Sequence, residues 1–382
     1  MTGFDRGDHE FRGLIGSPPE ETLAELRRRS PEIYEVIVRF FGITMARAEL
    51  GRTAREIATV AMLITLGASD AQLDLHTRAA LRQGVTPTEL LALCEHVAMY
   101  AGMPRALNGL AVLDRVLAEE GFPRPPVQHE VRLSDHTTVV AQRGTEGPAV
   151  VLVHAVCLDW RMWEPVLHEL SGTRRVYAYD LRGHGHAMGA PAATSMDTYA
   201  QDLVGVLDAL GVEQAHVVGL SFGGAVAQAA AVFDPSRVAS LTLMGTTDTP
   251  APEVFEGRAR AGETDGMASL VPSTLTRWFT PGALAVNGWG VRYARERILR
   301  ANPVDWAGTW RAFGTLDVQG KVTTSPTLVV AGSLDEAGPP SAMRALASRI
   351  PGARFAELPD APHMMSLECP SQVAQVIGDF IE

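Results

Sequence analysis

Gly219-Leu220-Ser221-Phe222-Gly223 decides how this chain is read. Before it stands a short apolar strand, Gln214-Ala215-His216-Val217-Val218, and after it a helix of small residues from Gly223 to Phe233. A strand, a sharp turn and a helix, in that order, put the middle serine at the tip of an elbow. The flanking glycines let the backbone turn where a Cβ would clash. The context predicts that Ser221 is a nucleophile, because a serine so exposed is useful once a base removes its proton. A bare G-x-S-x-G occurs by chance in Gly-rich chains, and the competing reading is a structural turn serine.

The partners of such a serine follow it as acid and then histidine. Thr327-Leu328-Val329-Val330-Ala331-Gly332 reads as a buried parallel strand and runs into Ser333-Leu334-Asp335-Glu336. Asp335 therefore lies just past the end of a strand, where a carboxylate can orient a base; a turn or helix cap is its alternative role. Asp248, after the strand Ser240 to Met244, is the spare acid. The strand Arg354 to Leu358 runs into Pro359-Asp360-Ala361-Pro362-His363, ahead of a last helix from Pro370 to Ile381. His363 is the expected base, and Asp335 would fix its tautomer and stabilise the imidazolium. Acyl transfer also needs donors for the oxyanion. The backbone N–H of Phe222 is one, and the loop His154-Ala155-Val156-Cys157 after the strand Val150 to Val153 offers Val156 as the other. His154 reads as a brace of that loop, with a second functional histidine as the alternative.

These residues resemble the α/β-hydrolase family over 127–382. Tyr179-Asp180-Leu181-Arg182-Gly183-His184-Gly185 and Asp159-Trp160-Arg161-Met162-Trp163 add to the match. Within that family the segments Gly266 to Val271 and Thr276 to Gly282 are similar to the cap of 3-oxoadipate enol-lactonases. The resemblance implies a serine hydrolase acting on a small lactone or ester, with no cofactor and no metal. Arg161 is the expected contact for a substrate carboxylate, and Trp278 is expected to line the pocket. Many relatives carry glycine where this chain has Ala155 and Cys157, which implies a stiffer oxyanion loop.

With 382 residues, two domains are expected. An apolar share of 46% and a charged share of 20% describe an ordinary globular chain with ample core. A net charge of −11 argues against nucleic acid or an anionic membrane surface as partner, so an anionic substrate must be met by local arginines. Cys94, Cys157 and Cys369 are scattered without metal spacing, which fits a reducing compartment. The first residues are charged and carry no signal-peptide core, and the longest apolar run, 58–68, is too short for a bilayer, so a cytoplasmic enzyme is expected. Residues 1–18 read as a loose arm.

Glu119-Glu120-Gly121-Phe122-Pro123-Arg124-Pro125-Pro126 is the boundary, with a Pro-rich linker at 121–126. Before it, 1–120 is all-α: apolar spacings of three and four predict helices near 19–29, 31–42, 53–67, 70–83, 87–101 and 104–119. Thr86-Pro87-Thr88-Glu89 predicts a capped helix start. After it, alternating strands and helices predict an α/β fold with a mostly parallel sheet. Residues 247–312 break the alternation and read as a helical cap holding Trp278, Trp289, Trp306 and Trp310.

Residues 30–119 resemble the carboxymuconolactone decarboxylase family through three stretches. These are Arg52 to Ala58, Leu73 to Leu81 with Gly84-Val85-Thr86-Pro87, and Tyr100-Ala101-Gly102-Met103-Pro104. Relatives that act as alkylhydroperoxidases use a C-x-x-C; here the place holds Ser69-Asp70-Ala71-Gln72, so thiol chemistry is excluded. Glu56, His76 and His96 remain as catalytic candidates, with Arg47, Arg52 or Arg55 to hold a carboxylate. A histidine titrating near neutrality can return the proton that decarboxylation requires. The chain departs from the family at Phe41, Met45 and Arg47-Ala48-Glu49, in place of two tryptophans and Arg-Pro-Gly, and at His96, in place of glutamine. The resemblance also implies a homo-oligomer built through these helices.

Together the two resemblances imply a bifunctional 4-carboxymuconolactone decarboxylase and 3-oxoadipate enol-lactone hydrolase of aromatic catabolism, since the first product is the second substrate. The order of domains is reversed relative to the usual fusion. The alternatives are a serine esterase or lactonase on another ester, with a structural, oligomerising first domain, and a non-catalytic scaffold.

Overall fold

The computed structural model describes residues 3–47 and 49–382 and divides into two compact units, Met1–Pro125 and Pro126–Glu382. The first is helical throughout: α1 Gly3–Ile15, α2 Pro19–Thr22, α3 Ala24–Arg29, α4 Pro31–Thr44, α5 Arg52–Leu66, α6 Asp70–Arg82, α7 Pro87–Ala101 and α8 Met103–Glu119. From α4 onward every helix ends within two residues of the span its apolar periodicity predicts; the 19–29 segment is two short helices instead of one. Thr86 starts α7 with a reciprocal capping box: its Oγ1 accepts from the Glu89 N–H, and its own N–H donates to the Glu89 carboxylate. Helices α5 to α8 bury one core that includes Val60, Ile64, Leu73, Leu90, Leu113 and Val116.

The expectation of a loose arm at 1–18 is corrected from residue 3 onward; Met1 and Thr2 lie outside the described residues. Helix α1 sets Phe11, Leu14 and Ile15 into a second small core with Ala79, and Phe11 packs on Phe41 at 5.0 Å between ring centroids. Burying three large apolar side chains on one helical stripe outweighs the glycine content, since each contributes on the order of 1.5–3 kcal/mol.

The second unit is an eight-stranded sheet: β1 Val127–Arg132, β2 Thr137–Arg143, β3 Ala149–Val153, β4 Arg175–Tyr179, β5 Ala215–Leu220, β6 Val238–Met244, β7 Thr327–Gly332 and β8 Arg354–Leu358. Their order is β1-β2-β4-β3-β5-β6-β7-β8, antiparallel at the β1/β2 and β2/β4 edges and parallel elsewhere. Strands β3 and β7 are buried at every position, as a sheet covered on both faces requires. The covering helices are α9 Glu164–Leu170, α10 Met196–Ala209, α11 Phe222–Phe233, α17 Pro340–Arg349 and α19 Pro370–Gly378, with a short α18 Met365–Glu368. Between β6 and β7 the alternation is interrupted by α12 Pro252–Asp265, α13 Met267–Trp278, α14 Pro281–Val286, α15 Trp289–Arg300 and α16 Pro303–Phe313. Among the described residues no helix is long and apolar enough to cross a membrane.

Ligands in open parallel sheets bind beyond the carboxyl ends of the strands. Val156, Ser221, Asp335 and His363 follow β3, β5, β7 and β8 at that edge, and the helices α12 to α16 lie in the chain between two of those strands.

Candidate active site

Ser221 sits between β5 and α11 with φ 57° and ψ −118°, a strained conformation for a residue with a side chain. The sequence suggests glycines as the flexible points, but the left-handed residue is the serine itself. The glycines supply clearance: a Cβ on Gly223 would stand 2.1 Å from the Val153 carbonyl oxygen. The Ser221 N–H donates to the Met244 carbonyl at 2.8 Å, and the Ser221 carbonyl accepts the Thr246 hydroxyl at 2.6 Å and the Gly224 N–H at 3.0 Å, which hold the strained residue.

His363 is buried and its Nδ1 meets both oxygens of the buried Asp335, at 3.0 and 2.9 Å. Asp335 Oδ1 also accepts the N–H groups of Ala337 and Gly338, each at 2.8 Å. Burial pushes this carboxyl up, but the His363 charge, its hydrogen bond and the two N–H groups together hold it below the ordinary value. The Asp335 anion thus turns the Nε2 face of the ring outward as the acceptor. Ser221 and His363 line the same cavity; no hydrogen bond joins them among the described residues, and such contacts commonly tighten when substrate binds. Asp248, the spare acid, is bound by both arms of Arg349 at 2.6 and 2.7 Å and does not reach His363.

The Phe222 N–H stands at the first position of α11, where a helix leaves its donors free. Val156 lines the same cavity. The next residue, Cys157, has φ 69°, a left-handed conformation that glycine takes at no cost. Burial pushes its thiol up to about 12, so it is an inert wall of this loop. His154 braces the loop: one ring nitrogen bonds the Ala155 carbonyl at 2.7 Å, and the other accepts the Leu181 N–H at 2.9 Å.

The cavity, of about 120 Å³, lies beneath the helical insert. Trp278, Trp306 and Trp310 line it, while Trp289 stacks on Tyr293 instead. The Met364 N–H donates to the Trp278 carbonyl at 3.0 Å, which ties the insert to the residue after His363. Arg161 requires a correction. It does not line the cavity; its guanidinium grips the buried Asp159 at 3.0 and 3.2 Å, with Arg297 and the Tyr293 hydroxyl on the same carboxylate. The cations that do line the cavity are Arg258 on α12 and Arg277 on α13.

In the first unit, α5 and α6 bring Glu56 and His76 together, with Nδ1 3.0 Å from Oε2. Glu56 is fully buried, and its other oxygen has no partner among the described residues. His96 does not join them by a hydrogen bond; it is exposed on α7 beside Tyr100. Arg47 is paired with Glu49, Arg52 with Glu10, and Arg55 with the Leu50 and Arg47 carbonyls. Ala48 lies outside the described residues.

Residues 148–370 match the family model described as the alpha/beta hydrolase fold. The chain belongs to the α/β-hydrolase family. Residues 31–115 match the carboxymuconolactone decarboxylase family, so a helical region of that family precedes the hydrolase. The hydrolase part is similar to 3-oxoadipate enol-lactonase 1 of Acinetobacter baylyi, 30% identical over 238 residues, covering 62% of this chain and 89% of that protein. It is similar in structure to the enol-lactonase of Burkholderia xenovorans LB400, at 28% identity and a TM-score of 0.63, covering 66% of this chain and 99% of that one. A thermophilic esterase from Thermogutta terrifontis, solved with malate bound, is 29% identical with a TM-score of 0.61, covering 67% of this chain and 98% of that one.

Four residues of this hydrolase site are absent from the sequence reading: Gly245, Thr246, Arg258 and Arg277. Gly245 has φ 50°, and a Cβ there would stand 2.8 Å from Asp335 Oδ2 and 3.1 Å from His363 Nδ1. The signal for it was the glycine directly after β6, between Met244 and Thr246.

Proposed function

We propose that the chain opens an enol-lactone by serine catalysis and that its helical region removes carbon dioxide from the precursor lactone acid. The observation that carries the hydrolase reading is the strained Ser221 in one cavity with His363, whose Nδ1 is held by both oxygens of Asp335. Ser221 Oγ attacks the lactone carbonyl as His363 takes its proton. The Phe222 and Val156 N–H groups receive the oxyanion. The ring C–O bond then breaks, His363 returns the proton to the leaving oxygen, and water attacks the acyl-serine by the same relay. Similarity to enol-lactonases of two organisms supports the lactone as substrate.

For the helical region, the buried Glu56 with one unpartnered oxygen against His76 supports proton transfer. Cleavage of the C–carboxylate bond leaves its electron pair on the lactone as a dienolate, and His76 returns a proton to carbon. A second reading makes this region an oligomerising platform for a serine esterase or lactonase. The engaged Arg47, Arg52 and Arg55, the outlying His96, and exposed apolar side chains such as Phe40, Leu66, Met99 and Met103 favour it. Under either reading the chain assembles with copies of itself through this region.

Purified Ser221→Ala protein given 4-carboxymuconolactone separates the two. Carbon dioxide release that stops in His76→Gln, with enol-lactone accumulating, supports the two-step enzyme. No release, while wild type still opens the enol-lactone, leaves the platform reading.

A further inference from the structure

Arg258 and Arg277 are the arginines of the helical insert that line the cavity of Ser221. Arg260 is paired with Glu256, and Arg311 with both Glu256 and Glu263. Arg258 and Arg277 have no carboxylate partner among the described residues, and both face the cavity that holds Ser221 and His363. No aspartate or glutamate is among the residues lining that cavity; the rest of the wall is aromatic, aliphatic or hydroxyl-bearing. Two positive charges thus face a recess walled by tryptophans, threonines and the Ser221 and His363 side chains, in a chain whose net charge is −11.

The placement of Arg258 is built. Its guanidinium lies over the Trp310 ring at 4.6 Å from the centroid, and its carbonyl accepts the Trp306 indole N–H at 2.8 Å. Stacking fixes the plane of the fork and leaves its edge for a planar, bidentate acceptor. Burial, and then the charge of Arg277, push this guanidinium down to about 10, so the ion remains charged at neutral pH but is disfavoured there. An anion between the two arginines would relieve that cost.

We propose that Arg258 and Arg277 form a carboxylate clamp that selects substrates bearing a free carboxylate on an apolar arm remote from the scissile carbonyl. This rests on Ser221 being the nucleophile of the cavity. Trp278, Trp306 and Trp310 then pack the arm between the clamped acid and the reacting carbon, and binding of the remote acid aligns the carbonyl with Ser221. A neutral ester of equal length fills the same recess but leaves the half-buried Arg258 without an anionic partner.

The test compares kcat/KM for the 4-nitrophenyl monoester of adipic acid with that for a neutral 4-nitrophenyl hexanoate. Wild type is expected to favour the acid, with a preference that falls as salt rises. Arg258→Met and Arg277→Met are each expected to lower the acid-to-neutral ratio on the order of 10-fold, mainly through KM. Arg260→Met, on the same helix but paired outside the cavity, is expected to leave the ratio as it is. If Arg258→Met fails to fold, Arg277→Met, at an exposed position, carries the comparison. A wild-type ratio near one, or a ratio unmoved by both variants, overturns the clamp. A drop of equal size in Arg260→Met overturns it too. Failure of the serine reading shows separately, as neutral-ester hydrolysis that persists in Ser221→Ala.

Discussion

Asp335 meets His363 Nδ1 with both carboxylate oxygens, at 3.0 and 2.9 Å, and is itself fixed by two backbone N–H groups. The histidine therefore has one tautomer available for accepting a serine proton. Asp335→Asn would present an amide N–H to the ring and stabilise the wrong one. An expected fall in kcat of about 10³–10⁴-fold follows, with the fold retained. Asp248→Asn, whose carboxylate serves Arg349, is expected to leave the rate nearly unchanged. Ester hydrolysis by the two variants, side by side, checks this.

Gly245 is confined by the same pair. A methyl group at φ 50° is strained by roughly 1–2 kcal/mol before any contact is counted, and it would also press on Asp335 Oδ2 from 2.8 Å. Gly245→Ala is expected to lower kcat on the order of 10²-fold, because an error near 1 Å in a catalytic base has about that effect. Steady-state rates, with circular dichroism to confirm the fold, give the answer.

Two buried histidines make stability depend on pH on the acid side. Desolvation brings His154 down to about 3 and His184 down to about 4, and their rings lie 5.1 Å apart. Both are neutral in the folded chain, while the unfolded chain takes up their protons below about 6.5. Their contribution to stability is therefore complete above that pH and falls as pH drops toward 4, by up to about 1.4 kcal/mol per pH unit for each ring. Denaturant midpoints from pH 8 to 4 should show this slope. His184→Gln, measured against wild type, should show a shallower one.

Much of the hydrolase was legible because its chemistry is written locally. A serine between two glycines after an apolar strand, an aspartate past β7 and a histidine past β8 each follow from strand ends that the sequence marks plainly. The carboxylate contact was not legible. Arg161 neighbours the oxyanion loop in sequence, yet Asp159 two residues earlier captures it. Arg258 and Arg277 sit in helices whose spacing gives a period but not which face meets the cavity. The Glu56–His76 contact joins residues 20 apart, and only the packing of α5 on α6 decides that it forms. The α1 helix had a signal that composition concealed: Phe4, Phe11, Leu14 and Ile15 share one helical stripe.

The lactone-hydrolase reading of this chain stands on Ser221 as the residue that opens the ring. Wild type and Ser221→Ala are compared for opening of 3-oxoadipate enol-lactone, followed by loss of its ultraviolet absorbance. Turnover by wild type and a loss of about 10⁴-fold or more in the variant are expected. Undiminished ring opening by Ser221→Ala would contradict that reading.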